Sequence, residues 1–213
     1  MFRPRILLLL PVLIFSSGWF SSSSLRKKNK TILLGITPKT HVLADLSIEK
    51  MRGKAGEAKR FISQNHFNES TCFLVDMSLP SGQNRFFVYD LEKDSITLSG
   101  LVAHGCCNQY WLEGRRYGNT VGCGCTSLGK YKIGNSYYGR FGLAFKLYGL
   151  DKTNDKAFDR FVVLHSHECV PTTEVKDDIC QSDGCPMVAP SFLQQLKPII
   201  NGSKKPVLLW IYE

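Results

Sequence analysis

Apolar and polar positions alternate along this chain in two distinct periods. From about residue 44 to 64, Ile48, Met51, Ala55, Ala58, Phe61 and Ile62 recur every three or four positions, which predicts a helix with one buried stripe. Gly53 and Gly56 weaken that helix without breaking its period. Beyond it the pattern shortens. Residues 72–77 form a brief apolar run, and residues 85–91 and 96–103 flank the turn-like Glu92-Lys93-Asp94, which predicts a hairpin. Between them, residues 76–82 have loop composition.

Phe141, Leu143, Phe145 and Leu147 alternate with Gly142, Ala144, Lys146 and Tyr148, the period of two of a half-buried strand. Residues 149–159 are polar. Phe161-Val-Val-Leu164 is a continuous, β-branched apolar run and predicts a buried strand that delivers His165 at its end. In residues 190–200, Phe192, Leu193, Leu196, Ile199 and Ile200 have the spacing of a short helix, and residues 206–212 make a final apolar strand. The expected architecture is mainly β, with one helix before the strands and one before the last of them.

The N-terminus departs from this pattern. Met1-Phe-Arg-Pro-Arg5 is positively charged and residues 6–15 are apolar, followed by a serine-rich stretch to residue 24. A ten-residue apolar core fits a signal peptide better than a spanning helix, which needs roughly 20 residues. Residues 1–24 are therefore expected to be a signal peptide or, if uncleaved, an N-terminal membrane anchor. No cysteine follows that could accept a lipid. Residues 25–44 read as a basic tether, and residues 45–213 as one domain.

Composition adds little to this picture. With 213 residues, the chain can bury a full core, and 43% hydrophobic against 21% charged residues is ordinary for a globular protein. A formal charge of +9 suits an anionic partner. The basic residues are scattered except at 26–30, so charge alone does not choose between nucleic acid, anionic lipid and cell-wall polymer. No glycine-rich phosphate loop is present, since Gly122, Gly124 and Gly129 lack the Gly-Lys-Ser/Thr ending.

Export makes the eight cysteines, at 72, 106, 107, 123, 125, 169, 180 and 185, candidates for disulfides. Cys106, Cys107, Cys123 and Cys125 do not have zinc-knuckle spacing and enclose no histidine, so no metal site is expected. One cysteine stands apart. Cys185 follows Gly184 in the turn-forming Ser182-Asp-Gly-Cys-Pro186, 20 residues after His165. A thiol on a glycine-fronted loop near an imidazole suits nucleophilic catalysis, because the imidazole can take the thiol proton. If Cys185 is such a nucleophile it must stay reduced. Seven cysteines then remain, so at least one more is unpaired.

The wording around this pair resembles a known family. Ser182-Asp-Gly-Cys-Pro186 is similar to the Ser-x-Gly-Cys motif of the L,D-transpeptidase (YkuD-like) catalytic domain, in the branch where proline follows the cysteine. His165-Ser166 is similar to that family's upstream histidine pair. Further segments match in order, among them Arg85-Phe-Phe-Val-Tyr-Asp90, Leu101-Val-Ala-His-Gly105, Thr126-Ser-Leu-Gly-Lys-Tyr131 and Leu147-Tyr-Gly-Leu-Asp151.

The resemblance implies a β-sandwich of mixed sheets with a groove over the cysteine. It implies Cys185 as nucleophile, His165 as base and then acid, and the Ser166 carbonyl orienting the imidazole. Gly184 and Cys185 would supply oxyanion-hole N–H groups, and Ser182 would hold the loop. The substrate would be peptidoglycan stem peptides, with loss of D-Ala and transfer to an amine. Carbapenem-type β-lactams would inhibit covalently, no cofactor would be required, and no nucleic acid would be bound.

Departures from the pattern raise further expectations. Asp183 and Met187 stand where many relatives have histidine and arginine, so Arg140 or Arg160 is expected to anchor substrate carboxylates, with His104 lining the groove. His167 competes with His165 for the role of base. An L,D-carboxypeptidase using water would share all these residues. A peptidoglycan-binding module with Cys185 tied to Cys169 or Cys180 is the alternative outside enzymology.

Overall fold

The computed structural model describes residues 38–213, with side chains described from residue 48 onward. The leader and most of the tether lie outside the described residues. Helix α1 spans Pro38–Asn65, beginning ahead of the periodic stripe, with proline in its first turn where a missing N–H costs no hydrogen bond. Met51, Ala55, Ala58 and Ile62 are its buried positions.

Nine strands follow: β1 (Thr71–Asp76), β2 (Phe86–Asp90), β3 (Ser95–Gly100), β4 (Val102–Ala103), β5 (Gly129–Gly139), β6 (Gly142–Gly149), β7 (Val163–Ser166), β8 (Met187–Val188) and β9 (Leu208–Tyr212). Helix α2 spans Pro190–Gly202, between β8 and β9. The expected mainly β fold, with a helix before the strands and one before the last, is what the chain adopts.

The strands are hydrogen-bonded into one mixed sheet, in the order β3-β2-β1-β9-β5-β6-β7-β8-β4. The β1–β9 and β7–β8 pairs are parallel and the others antiparallel. The two edge strands, β3 and β4, are neighbours in the chain, separated only by the buried Leu101. A flat sheet cannot bring its opposite edges that close, so this one rolls around its core.

Arg85 pins the seam. Its backbone N–H donates to the Gly100 carbonyl at 3.2 Å, and its guanidinium donates to the Val102 carbonyl at 2.9 and 2.7 Å. Inside the roll, Phe73, Phe86, Tyr131, Phe145, Leu164 and Leu209 meet Phe192, Leu193 and Leu196 of α2. Outside it, the stripe of α1 packs on Cys72, Leu74, Phe87, Leu208 and Trp210, from β1, β2 and β9. Among the described residues no helix is long and apolar enough to cross a membrane.

Three local expectations change. The run at 96–103 is two strands, broken where the roll closes at Leu101. β7 begins at Val163 rather than Phe161, which is 84% exposed with φ +55°. Phe141, assigned by alternation to the core face, sits in the β5–β6 turn and is 44% exposed.

Candidate active site

The parallel β7–β8 pair builds the site. Its register sets His165 opposite Met187, two residues past Cys185, so strand pairing alone brings the ring and the thiol loop together. His165, Cys185, Ser182 and Asp183 line one cavity of about 220 Å³, together with Phe141 and His167. Asp183 is exposed at its rim.

The loop before the cysteine is fixed by its own serine. Ser182 Oγ donates to the Cys185 carbonyl at 2.7 Å and accepts the Gly184 N–H at 3.2 Å. Its backbone bridges to the neighbouring loop, with Ser182 N–H donating to the His104 carbonyl and Cys106 N–H to the Ser182 carbonyl, each at 2.8 Å. Gly184 has φ +109°, and a Cβ there would lie 2.7 Å from the Cys125 carbonyl oxygen, so both conformation and space demand glycine.

Cys185 carries a free thiol, while Cys169 and Cys180 are bonded to each other and Cys107 to Cys125. Cys72, Cys106 and Cys123 are also unpaired. The sulfur of Cys185 receives the Val163 N–H at 3.5 Å and lies 3.9 Å from the Phe161 carbonyl. Burial raises its pKa above the ordinary thiol value, with the Val163 N–H opposing and the Asp183 charge adding to the rise. The resting group is a thiol, so it needs a base.

His165 has the tautomer for that role. Its Nδ1 lies 3.2 Å from the Ser166 carbonyl, and a carbonyl only accepts, so Nδ1 carries the hydrogen and Nε2 keeps its lone pair. Burial lowers the His165 pKa, the Ser166 contact opposes this, and His167 lowers it further. The ring is therefore neutral at neutral pH. It stacks on Phe141, with centroids 4.4 Å apart. His167 is exposed, and its Nδ1 accepts the Cys169 N–H at 3.1 Å, so that lone pair is already engaged.

The other expected groups fall in different places. Arg140 lines an adjoining cavity of about 310 Å³ with Ser166 and His167, and this cavity shares Phe141 with the first. Arg160 does not face the thiol cavity. It donates to the Gly118 carbonyl at 2.9 Å, to Ser127 Oγ and to the Cys125 carbonyl, so its donors support the loops beneath Gly184.

His104 is also turned elsewhere. It lies between Arg85 (3.0 Å to Nδ1) and the Gly114 carbonyl (3.2 Å from Nε2), on a separate cavity of about 200 Å³. Burial, reinforced by the Arg85 charge, lowers its pKa to about 4. Of the two expected oxyanion donors, Gly184 N–H is engaged by Ser182, while Cys185 N–H meets no acceptor among the described residues. Among the described residues no cluster of three or more suitable side chains could hold a metal.

Phe141 escaped the sequence reading. The glycines at 139 and 142 bracketing it mark a tight turn, and that signal outweighs the apparent alternation.

A thiol-bearing glycine turn and a carbonyl-oriented imidazole thus line one cavity beside a parallel strand pair of a mixed sheet, an arrangement chemically suited to a thiol–imidazole site. The family comparison agrees. A model of the L,D-transpeptidase catalytic domain (YkuD_2) matches residues 44–212, and the chain belongs to that family. No curated protein matches the chain.

Proposed function

We propose that this protein is an exported acyltransferase of peptidoglycan stem peptides, with Cys185 as nucleophile and His165 as its base. The observation that carries the reading is one cavity holding a free thiol and an imidazole whose Nδ1 is committed to the Ser166 carbonyl. The Cys185 sulfur attacks the carbonyl of the L-centred third residue of a tetrapeptide stem while its proton passes to His165 Nε2. The Cys185 N–H donates to the oxyanion; a single such donor is worth about 2.7–4 kcal/mol where one has been removed.

Collapse of the adduct breaks the peptide bond. The D-Ala amine leaves with the proton from His165, and a thioester remains on Cys185. An incoming amine then gives a proton to His165 and takes the acyl group, and the sulfur recovers that proton. Asp183 and Ser182 border the donor, and Arg140 anchors a stem carboxylate. The positive leader directs the chain to the periplasm or cell envelope, and carbapenems acylate the same sulfur.

Incubating the protein with disaccharide-tetrapeptides and weighing the products tests this. A cross-linked dimer less one D-Ala supports transpeptidation, and a tripeptide alone identifies water as the acceptor. Unchanged substrate with no carbapenem adduct on Cys185 rejects the acyl chemistry.

A further inference from the structure

The outer face of β6 and β7, and of β5 from Lys132 onward, lies clear of the α1 stripe, which packs on β1, β2 and β9, while the C-terminal end of α2 borders it at Asn201. Strand register places Lys132 opposite Tyr148, Lys146 opposite Val163, and Ala144 opposite His165. Tyr131, Ile133, Phe145, Leu147 and Leu164 take the core side. Cations and aromatic rings meet along the outer face. Lys132 Nζ stands 4.9 Å from the Tyr148 centroid, Tyr148 stacks on Phe158 at 5.2 Å, and Lys146 Nζ is 5.9 Å from Tyr137.

Three cavities succeed one another here. The first, about 560 Å³, is lined by Lys132, Tyr148, Asn135, Asn201 and Lys204. The second, about 330 Å³, is lined by Tyr137, Lys146, Phe158 and Phe161. The third is the thiol cavity. The Tyr148–Phe158 stack joins the first to the second, and the contacts of Phe161 and Val163 with the Cys185 sulfur join the second to the third.

We infer that this face is a docking track for the glycan backbone of peptidoglycan, holding the polymer while one stem reaches Cys185. Sugar rings carry C–H faces that pack on exposed aromatic rings such as Phe158. Acetamido groups match the side-chain amides of Asn135 and Asn201, and stem carboxylates match Lys132, Lys146 and Lys204. A purely apolar protein partner would leave those ammonium groups unpaired on desolvation. The inference rests on the proposed substrate, because the stems hang from this polymer, but it concerns binding rather than chemistry.

The test is co-sedimentation of the full chain, carrying Cys185→Ala, with purified peptidoglycan sacculi. Adding Lys132→Glu and Phe158→Ser together should weaken binding about tenfold, a loss of about 1.4 kcal/mol. Lys93→Glu, on the β2–β3 turn, should change it less than about twofold on the same scale. If the double variant unfolds, Lys132→Glu alone carries the test and should still weaken binding. Undiminished binding overturns the track. So does an equal loss in Lys93→Glu, which means charge alone, or a Phe158→Ser variant that dissociates a dimer, which means the face joins two copies. Because the thiol is absent throughout, failure of the acyl chemistry and failure of the track are read separately.

Discussion

Ser182 and Cys185 are tied by a 2.7 Å hydrogen bond from the serine hydroxyl to the cysteine carbonyl, within a turn whose Gly184 N–H returns to the same oxygen. One hydroxyl thus fixes the backbone on both sides of Gly184. Removing it in Ser182→Ala leaves a donor and an acceptor unmet, at a cost of roughly 1–3 kcal/mol. Slower carbapenem acylation together with a lowered melting temperature is expected. Melting unchanged and acylation intact would show that the turn holds its shape without the hydroxyl.

Gly184→Ala should be harsher. It adds a Cβ against the Cys125 carbonyl at a φ of +109°. Backbone strain of this kind costs about 1–3 kcal/mol before the clash is counted. The expected result is a loss of labelling at Cys185, followed by intact mass after carbapenem treatment, with a clear fall in denaturant midpoint.

The two histidines should separate cleanly. His165→Ala should slow acylation by about 10²–10⁴-fold, the usual contribution of a general base. His167→Ala should have little effect, because the Nδ1 of His167 already accepts the Cys169 N–H. Stopped-flow acylation rates give the comparison, and equal losses would reassign the base.

The pH profile follows from the shifts of His165 and Cys185. The reaction needs neutral His165, whose pKa is lowered from 6.5 by burial. The acid limb of the acylation rate should therefore fall below that ordinary imidazole value. The thiol is raised from 9.0, so in His165→Ala the alkylation of Cys185 by iodoacetamide should rise only at higher pH than for a free thiol. An acid limb above the ordinary imidazole value would contradict the burial of the ring.

His104 gives a separate pH signature, in stability. Its pKa is about 4 folded against 6.5 for an exposed imidazole, so below pH 6.5 the unfolded chain binds the extra proton first. This histidine's contribution is complete above 6.5 and is lost as pH falls toward 4. Thermal melts across that window should show the decline, and a His104→Gln variant should flatten it.

The central pair could be read from the chain because each member has a local signature, a β-branched run ending in His165 and a glycine turn ending in Cys185. Their supports could not. Arg160 and His104 were expected at the substrate, yet both are satisfied largely by carbonyls of Gly118, Cys125 and Gly114, and a backbone acceptor leaves no trace in residue type. Phe141 reaches His165 only through the β6–β7 register and the β5–β6 turn. The sequence pattern does not mark β5 as a strand. Tyr131 and Ile133 do alternate with Lys130 and Lys132, but the strand then runs on through small and exposed residues that blur the period.

The closing of the roll at Leu101 ties catalysis to completion of the whole barrel-like wall. β8, which begins two residues after Cys185, is the stave that receives the far edge, β4, and these two pair across some 85 positions of chain. A polypeptide truncated ahead of that stave would keep every residue of β7 and its histidine. It would have no closed wall to bend the glycine turn into shape, and therefore no single cavity in which the Cys185 sulfur and the His165 ring meet.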